Sequence, residues 1–325
     1  YLKDRKILTI FKKFEKNLNG LKKNFVVAVS GGPDSLALAY LSKILSIKTN
    51  LKPKFYIIDH KLRTESSNEA NKVKKILKKK SINSKILIWK GKKPLNNIQS
   101  TARKKRFELI LNECKKSKIN NILLGHHIDD LYENFFLRIL RGSGLNGLVS
   151  FDKETIFEKF KIYRPLVDFE KKDLIYIATK VFNFYISDPS NENEKFKRTK
   201  IRNYLEFLKN EGLNKKKLLL TIKNLKDSNS SINYYVNQNL KKNIFFNKKN
   251  NTYLLNLNFF NQSHEVIFRS LSEIIKKIGK KYYPVRGKSL DLLILKILKN
   301  SIFKSTLGGC LIEKIDQTVI ISKEK

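Results

Sequence analysis

The chain has 325 residues, 41% of them hydrophobic, and 68 Lys and Arg against 29 Asp and Glu give a formal charge of +39. That length suggests two domains with material for a buried core, and no apolar run approaches the ~18 residues of a membrane span. Cys114 and Cys310 lie far apart in sequence and form no CxxC pair, which argues against a structural zinc site or a disulfide framework and fits a reducing cytoplasm.

The positive excess favours a polyanionic partner, most simply nucleic acid. Runs such as KKILKKKSINSKI, rich in Lys, Asn and Ile, are also what an AT-rich genome imposes, so motifs must separate the two explanations. From the amino terminus, YLKDRKILTIFKKFEK has the pattern of an amphipathic basic helix without a cleavage site, and no secretory signal is read there. The sequence does not open on Met, so its first residue need not be the native start. Short apolar strands are then expected at 25–30, 55–59, 86–89 and 121–125, alternating with helices at 34–45, 66–80, 97–116 and 129–141. Such alternation predicts an α/β fold with a doubly wound parallel sheet covered on both faces. Ligands in that architecture bind beyond the carboxyl ends of the strands. Ser30 and the Gly125-His126-His127 segment fall at two such ends.

After about residue 150 the pattern changes. YRPLVDFEKKDLIYIATKVF reads as a turn, a cap at Asp168 and a helix, and FKRTKIRNYLEFLKNEGL as another helix ending near Gly212. A polar helical pattern from Lys215 to about Lys242 is expected to connect two domains. The remainder mixes a short strand (253–257), two helices and closing strands around TLGGCLIEKIDQTVIIS. The division is placed between residues 1–213, a parallel-sheet domain, and 214–325, a smaller, mainly helical α+β domain. There is no internal repeat, and the Lys/Asn tracts stay interleaved with apolar residues, which argues against disorder.

The turn Ser30-Gly31-Gly32-Pro33-Asp34-Ser35 passes directly from strand to helix. Turn chemistry accounts for its residue types, since glycines allow the bend, Pro33 suits a helix start and Asp34 or Ser35 can cap it. The same turn suits an anion, because backbone N–H groups and hydroxyls gather at a helix N-terminus. It lacks the spacing and the lysine of a Walker loop. Two glycines, flanking serines and one acid suit holding pyrophosphate while the α-phosphate of a nucleotide is attacked, with Asp34 placed for Mg²⁺ on the phosphates. SGGPDS resembles the SGGxDS signature of the PP-loop ATP pyrophosphatases, and this resemblance implies their adenine nucleotide α-hydrolase-like fold and substrate adenylation by ATP.

In GHHIDDLYENFFLRILRGSGLNGL (125–148), His127, Asp130 and Glu133 are three apart and share one helical face. Taken alone, Asp129 and Asp130 complement a helix dipole, and His beside acids at this spacing is a weak zinc signature. GSGLNG fits G-x-G-x-x-G but follows a helix where a dinucleotide fingerprint must follow a strand. A glycine-rich loop beside Arg141 suits close contact with a phosphate backbone instead. Arg198 and Arg202, four apart, suit gripping a carboxylate or phosphate, or form a solvated basic face. Trp89 is read as packing and His264 receives no role.

Together these segments are similar to the tRNA(Ile)-lysidine synthase family, whose pattern here is close to GHHxDDxxET followed by RGSGxxGL. DHKLRTESSNEA (59–70), TARKKRF (101–107), YRPLVDF (163–169) and SDPSNENEKFKRTKIR (187–202) resemble further stretches of that family. YYPVRGKSLDLL and TLGGCLIEK resemble pieces of its second domain. The likeness covers essentially the whole chain, is strongest over 26–205 and looser after 215, and matches a shorter form lacking the last domain of longer members. It departs at Lys61, Phe107, Leu131 and Asn134, where the family has Gly, Tyr, Gln and Thr.

The resemblance implies a cytoplasmic ligase, free of membrane and obligate protein partners, that converts the wobble cytidine of a CAU-anticodon tRNA(Ile) to lysidine with ATP, Mg²⁺ and free L-lysine. On this expectation Ser30, Gly31, Gly32, Pro33, Asp34 and Ser35 bind ATP, Asp34 with the metal. His127 accepts or relays a proton. Asp130 and Glu133 receive the lysine ammonium, a cation they would otherwise lack. Arg198 and Arg202 contact lysine or phosphate, and Arg141, Gly142, Ser143 and Gly144 meet the tRNA with help from the second domain. One arginine of the Arg103-Lys104-Lys105-Arg106 cluster lies near the nucleotide. A PP-loop tRNA thiolase or an amidotransferase-type synthetase would want paired cysteines or a glutaminase, and neither is evident. A non-catalytic RNA-binding protein would not need Asp34, His127, Asp130 and Glu133 together.

Overall fold

Asp4 opens helix α1 (Arg5–Lys16) by accepting the Ile7 N–H, and Ile7, Ile10, Phe11 and Phe14 form its buried stripe. Strand and helix then alternate through β1 (Phe25–Val29), α2 (Pro33–Thr49), β2 (Lys54–Asp59), α3 (Ser66–Lys79), β3 (Ser84–Ile88), α4 (Ile98–Ser117), β4 (Asn121–Leu123), α5 (Ile128–Ile139) and the short α6 (Leu145–Leu148). A hairpin of β5 (Glu154–Phe157) and β6 (Phe160–Tyr163) follows. Next come α7 (Lys171–Ile177), which runs on as a π-helical turn over Ala178–Phe182, and α8 (Lys197–Asn210). This computed structural model describes residues 4–62, 64–91, 98–187, 197–280 and 285–324. The chain divides into two units, 1–213 and 214–325.

The first unit holds a six-stranded sheet in the order β3-β2-β1-β4-β6-β5, parallel except at β5. Side chains alternate across it, as the two-residue period of a strand requires. Phe25, Val27 and Val29 join Phe55 and Ile57 in a core with α1, α2 and α7. Val26 and Tyr56 face the other way, into Leu87 and the Ile110, Leu111 and Cys114 of α4. Burial on both faces explains the near-continuous apolar runs of β1 and β2. It also explains α2, which is apolar on all sides and buries Leu36 through Leu41 without interruption. Strand order reverses about β1, so the crevice between the ends of β1 and β4 is a topological switch point.

The expected turn in YRPLVDF is present at 165–168, and the unforeseen β5–β6 hairpin precedes it, turned at Glu158 with φ 52°. One expectation is corrected: Asp168 does not cap α7. Phe169 is drawn into the core and its N–H closes a turn on Leu166, so the helix starts later with Glu170 at the N-cap, and Asp168 pairs with Lys153 at 2.6 Å.

The second unit comprises α9 (Lys215–Lys242), β7 (Ile244–Asn247), β8 (Thr252–Leu255), α10 (Leu257–Phe260), α11 (His264–Ile278), α12 (Gly287–Lys299), β9 (Ile302–Leu307), β10 (Cys310–Ile315) and β11 (Thr318–Lys323). Its strands form an antiparallel sheet, β7-β8-β11-β10-β9, whose Tyr253, Leu255, Ile312, Val319 and Ile321 share a core with α11 and α12. The expected connector, α9, is part of this unit. It buries Leu218, Ile222 and Val236, and Arg269 of α11 reaches its Asn229 and Asn233 at 2.7 and 3.0 Å. Cys114 and Cys310 are free and buried. No described helix is long and apolar enough to cross a membrane.

Candidate active site

Beyond β1, Gly32 is the N-cap of α2 with φ −70° and ψ 162°, and Pro33 occupies the first turn. An N-cap without a side chain leaves the first-turn N–H donors to an external acceptor. Ser35 Oγ shapes the loop by accepting from the N–H of Ser30 (3.1 Å) and Gly31 (3.0 Å) and donating to the Gly32 carbonyl (2.9 Å). The two glycines have different reasons to be there. Gly31 has φ +90°, and a Cβ on it would come within 2.6 Å of both Ile186 and Val73, so the fold itself requires it. Gly32 has an ordinary backbone, and no atom comes nearer than 3.9 Å to its missing Cβ. Its surroundings are open where a phosphate would approach.

A second close approach brings the β4 end to this loop. A Cβ on Gly125 would lie 3.2 Å from the Asp34 carbonyl carbon and oxygen and 3.3 Å from Ser35 N, so the next two histidines are laid against the start of α2. His127 is the N-cap of α5 in a capping box: its Nδ1 accepts the Asp129 N–H (3.2 Å), and its own N–H donates to Asp130 Oδ2 (2.9 Å). With Nδ1 so engaged, the proton of a neutral ring sits on Nε2. That nitrogen lies 3.8 Å from Asp34 Oδ2 and 3.6 Å from Asp130 Oδ2. The structure thus brings together Asp34, His127 and Asp130.

Glu133, one turn along and only 2% exposed, corrects the expectation that the acids lack a protein cation. Arg202 Nε donates to its Oε1 at 2.5 Å, while Arg198 Nη1 stands 3.7 Å from Oε2 and 3.8 Å from Asp130 Oδ1. Arg198 is too distant for a hydrogen bond, and Glu133 Oε2 is buried with no hydrogen-bond partner among the described residues. Burial raises the Glu133 carboxyl above the usual range, against the pull of Arg202. Burial also acts to raise Asp130, but His127, His126, the His127 N–H and Arg198 outweigh it and hold that carboxyl low. Two groups three residues apart therefore differ in proton affinity.

The arginines of α4 part company. Arg103 faces this cluster, its guanidinium depressed by burial and by Arg198 and favoured by Asp130. Arg106 Nε instead donates to His60 Nε2 (3.3 Å) at the end of β2. Burial and Arg106 push His60 down to about 4. Sequence reasoning missed Lys171, whose Nζ lies 2.8 and 2.7 Å from the two oxygens of Asp34. It also gave no role to Arg164, which donates to the Asp152 carbonyl (2.9 Å) and Thr155 Oγ1 (3.0 Å). Neither residue type carries a signal where Lys and Arg number 68.

Arg141, Gly142 and Gly144 are exposed, and Ser143 is half-buried. Gly142, at φ +65°, ends α5: its N–H and that of Ser143 bond the carbonyls of Ile139 and Arg138, a Schellman arrangement. That helix stop is a structural reason for one glycine of the loop, while nothing lies within 4 Å of a Cβ on Gly144. Arg63 and residues 188–196 and 282–284, which belong to stretches singled out above, lie outside the described residues.

Residues 3–207 match the family model described as the PP-loop domain. A tRNA(Ile)-lysidine synthase of Orientia tsutsugamushi is 33% identical over 323 residues, covering 97% of this chain and 71% of that protein. One from Wolbachia pipientis wMel is 33% identical over 307 residues, 92% and 70% of the two chains. Among solved structures, the U34-tRNA thiolase NcsA from Methanococcus maripaludis superposes with a TM-score of 0.58 at 16% identity, over 68% of this chain and 78% of that one, a likeness of fold. The chain belongs to the tRNA(Ile)-lysidine synthase family of ATP-dependent PP-loop enzymes.

Proposed function

We propose that the protein joins free L-lysine to C2 of the wobble cytidine of a CAU-anticodon tRNA(Ile), with ATP converted to AMP and pyrophosphate. The observation that carries this reading is the meeting of an uncapped helix N-terminus with Asp34, His127 and Asp130 at the ends of β1 and β4. In the first step the cytosine C2 oxygen attacks the α-phosphorus, and the bond to the bridging oxygen breaks with its electrons leaving on pyrophosphate. The Gly32 end of α2 and the Ser30 and Ser35 hydroxyls hold the departing phosphates. In the second step the lysine ε-nitrogen attacks C2 and the C2–O bond to AMP breaks.

The cation of lysine would be received by Asp130 Oδ1 and Glu133 Oε2, the two oxygens that Arg198 approaches without hydrogen-bonding. The amine must lose a proton before it attacks, and Glu133, raised by burial, is a competent acceptor. His127, with Nδ1 occupied, is better placed to donate from Nε2 to a phosphate oxygen than to accept there. Arg198 and Arg202 remain at hand for the lysine carboxylate or a phosphate.

Magnesium suits this site as an ion held chiefly by phosphate oxygens and water: the described residues contain no cluster of three metal-ligating side chains, and Asp34 offers one carboxylate. Bound so, it would neutralise phosphate charge. Residues 1–213 would then be the catalytic unit. Arg141 to Gly144 and residues 214–325 would hold the tRNA, in the cytoplasm. Thiolation finds no support in the thiols, since burial pushes Cys114 up to about 12 and both cysteines lie in cores.

Incubation of the protein with ATP, labelled lysine and a CAU tRNA(Ile) transcript tests this reading. Equal amounts of AMP, pyrophosphate and tRNA-bound label are expected. ATP cleavage without retained lysine would contradict it.

A further inference from the structure

We propose that Lys171 is a phosphate-contacting residue of the ATP site: it rests on Asp34 in the free protein and engages the phosphate oxygens of bound nucleotide. The inference rests on the ATP cradle proposed above and adds a residue to it. Lys171 is the first residue of α7, 137 positions from Asp34 in the chain, yet its Nζ bonds both carboxylate oxygens at 2.8 and 2.7 Å. Its side chain is 39% exposed and that of Asp34 22%, so the pair sits at a mouth open to solvent.

A purely structural role, tying α7 to α2, explains little. Leu174 and Ile177 of α7 already lie fully buried in the core they share with Leu36 to Leu41 of α2. A half-exposed ion pair adds only marginally to such a contact. The electrostatics of the loop supply a stronger reason. Asp34 lies in the first turn of α2, two residues from Gly32, where its negative charge would repel an incoming triphosphate. Lys171 cancels that charge.

An ammonium has three donors, and two suffice for the Asp34 oxygens, so the third can meet a phosphate without any movement of backbone. A compact charge on a flexible stem suits phosphate for the same reason. With the ammonium drawn to the phosphates, Asp34 would be left to hold a metal ion bound to them. The residue therefore carries two charges in turn, the acid first and the substrate second.

The test is calorimetric titration of inorganic pyrophosphate and of ATP, each with magnesium, into wild type, Lys171→Met and Lys171→Arg, alongside thermal melts. Loss of one charge-assisted hydrogen bond should weaken pyrophosphate binding in Lys171→Met by about tenfold or more. Its melting temperature should stay close to wild type, and Lys171→Arg should recover most of the affinity. Should the Met variant misfold, Lys171→Gln, which keeps a donor to Asp34 without the charge, gives the same comparison. Wild-type affinity in a folded, uncharged variant overturns the proposal and leaves the pair a structural tie. A wild-type protein that binds neither ligand overturns the ATP cradle itself, and this proposal with it.

Discussion

Each unit of the molecule carries a glycine pair, and the two pairs are there for opposite reasons. In the first unit, Gly31 is spent on the fold while Gly32 leaves open space at a helix N-terminus. In the second unit, Gly308 and Gly309 both take left-handed φ values, 66° and 79°, to turn β9 into β10. A Cβ on Gly308 would come within 2.6 Å of Val285 and 2.8 Å of Ile275, and one on Gly279, the C-cap of α11, would strike the Gly308 carbonyl. Cys310 completes that contact by donating to the Ile275 carbonyl at 3.3 Å. TLGGC is thus a packing device, and SGGPDS is half packing device and half open helix N-terminus. A glycine motif points to a ligand where its φ is ordinary and its missing side chain faces nothing.

The pair of substitutions that separates these reasons has the largest expected effects. Gly279→Val should destabilise the second unit by roughly 3 kcal/mol or more, since the new side chain meets backbone that cannot yield cheaply. Denaturation followed by circular dichroism would register the loss. Trp89, the single tryptophan and a residue of the first unit, should report no change in its own transition. Gly32→Val should do the reverse, leaving stability within about 0.5 kcal/mol while ATP affinity falls about a hundredfold, as expected for two lost charge-assisted hydrogen bonds. Equal effects from both substitutions would erase the distinction.

A smaller contrast concerns pH. His60 and His126 of the first unit are pushed from 6.5 to about 4, His60 by burial and Arg106, His126 by burial first and then by Arg164 and other arginines against the pull of Asp130. With folded values below unfolded ones, the unfolded chain binds more protons between pH 6.5 and 4. The stability these rings confer is complete above 6.5 and is lost as pH falls toward 4. Glu133 and Asp130 shift in opposite directions, so they oppose one another near the acid end of that window. The thermal midpoint read from Trp89 fluorescence should therefore fall between pH 6.5 and 4. The second unit buries no histidine among its described residues, so the decline is read at Trp89 in the first unit. A flat Trp89 midpoint would contradict the burial of the two rings.

The smallest expected effect tests what the charge of +39 is for. If it serves tRNA binding, log affinity should fall steeply with log salt, and Arg141→Gln should lower the slope by about one unit. No salt dependence would return the charge to codon bias.

The alternation from residue 25 to 139 was legible because each strand is a short apolar run and each segment between is long enough for a helix. The β5–β6 hairpin was not, since its strands are four residues each and β5 alternates exposed and half-buried positions on the sheet edge. In the site, the shared face of His127, Asp130 and Glu133 follows from spacing alone. The counter-ions do not. Arg202 lies 69 residues from Glu133, and Lys171 lies 137 from Asp34, so only the fold can pair them. Helical spacing could say that Arg198 and Arg202 share a face, but not that an acid already waits there.

One site is proposed to perform two separable steps, adenylation at Asp34 and lysine transfer at Asp130 and Glu133. The most direct test is Asp130→Asn, assayed in one preparation for tRNA-dependent pyrophosphate release and for lysine incorporation. Asn keeps an acceptor for the His127 N–H, so the cap of α5 survives. Removing one partner of a buried ion pair costs about 3–5 kcal/mol, so lysine incorporation should drop by hundreds-fold or more. Pyrophosphate release, which does not involve the amine, should persist far better. A parallel fall of both activities would assign Asp130 to the phosphate site and contradict the two-step division. Undiminished lysine incorporation would remove Asp130 from the lysine pocket altogether.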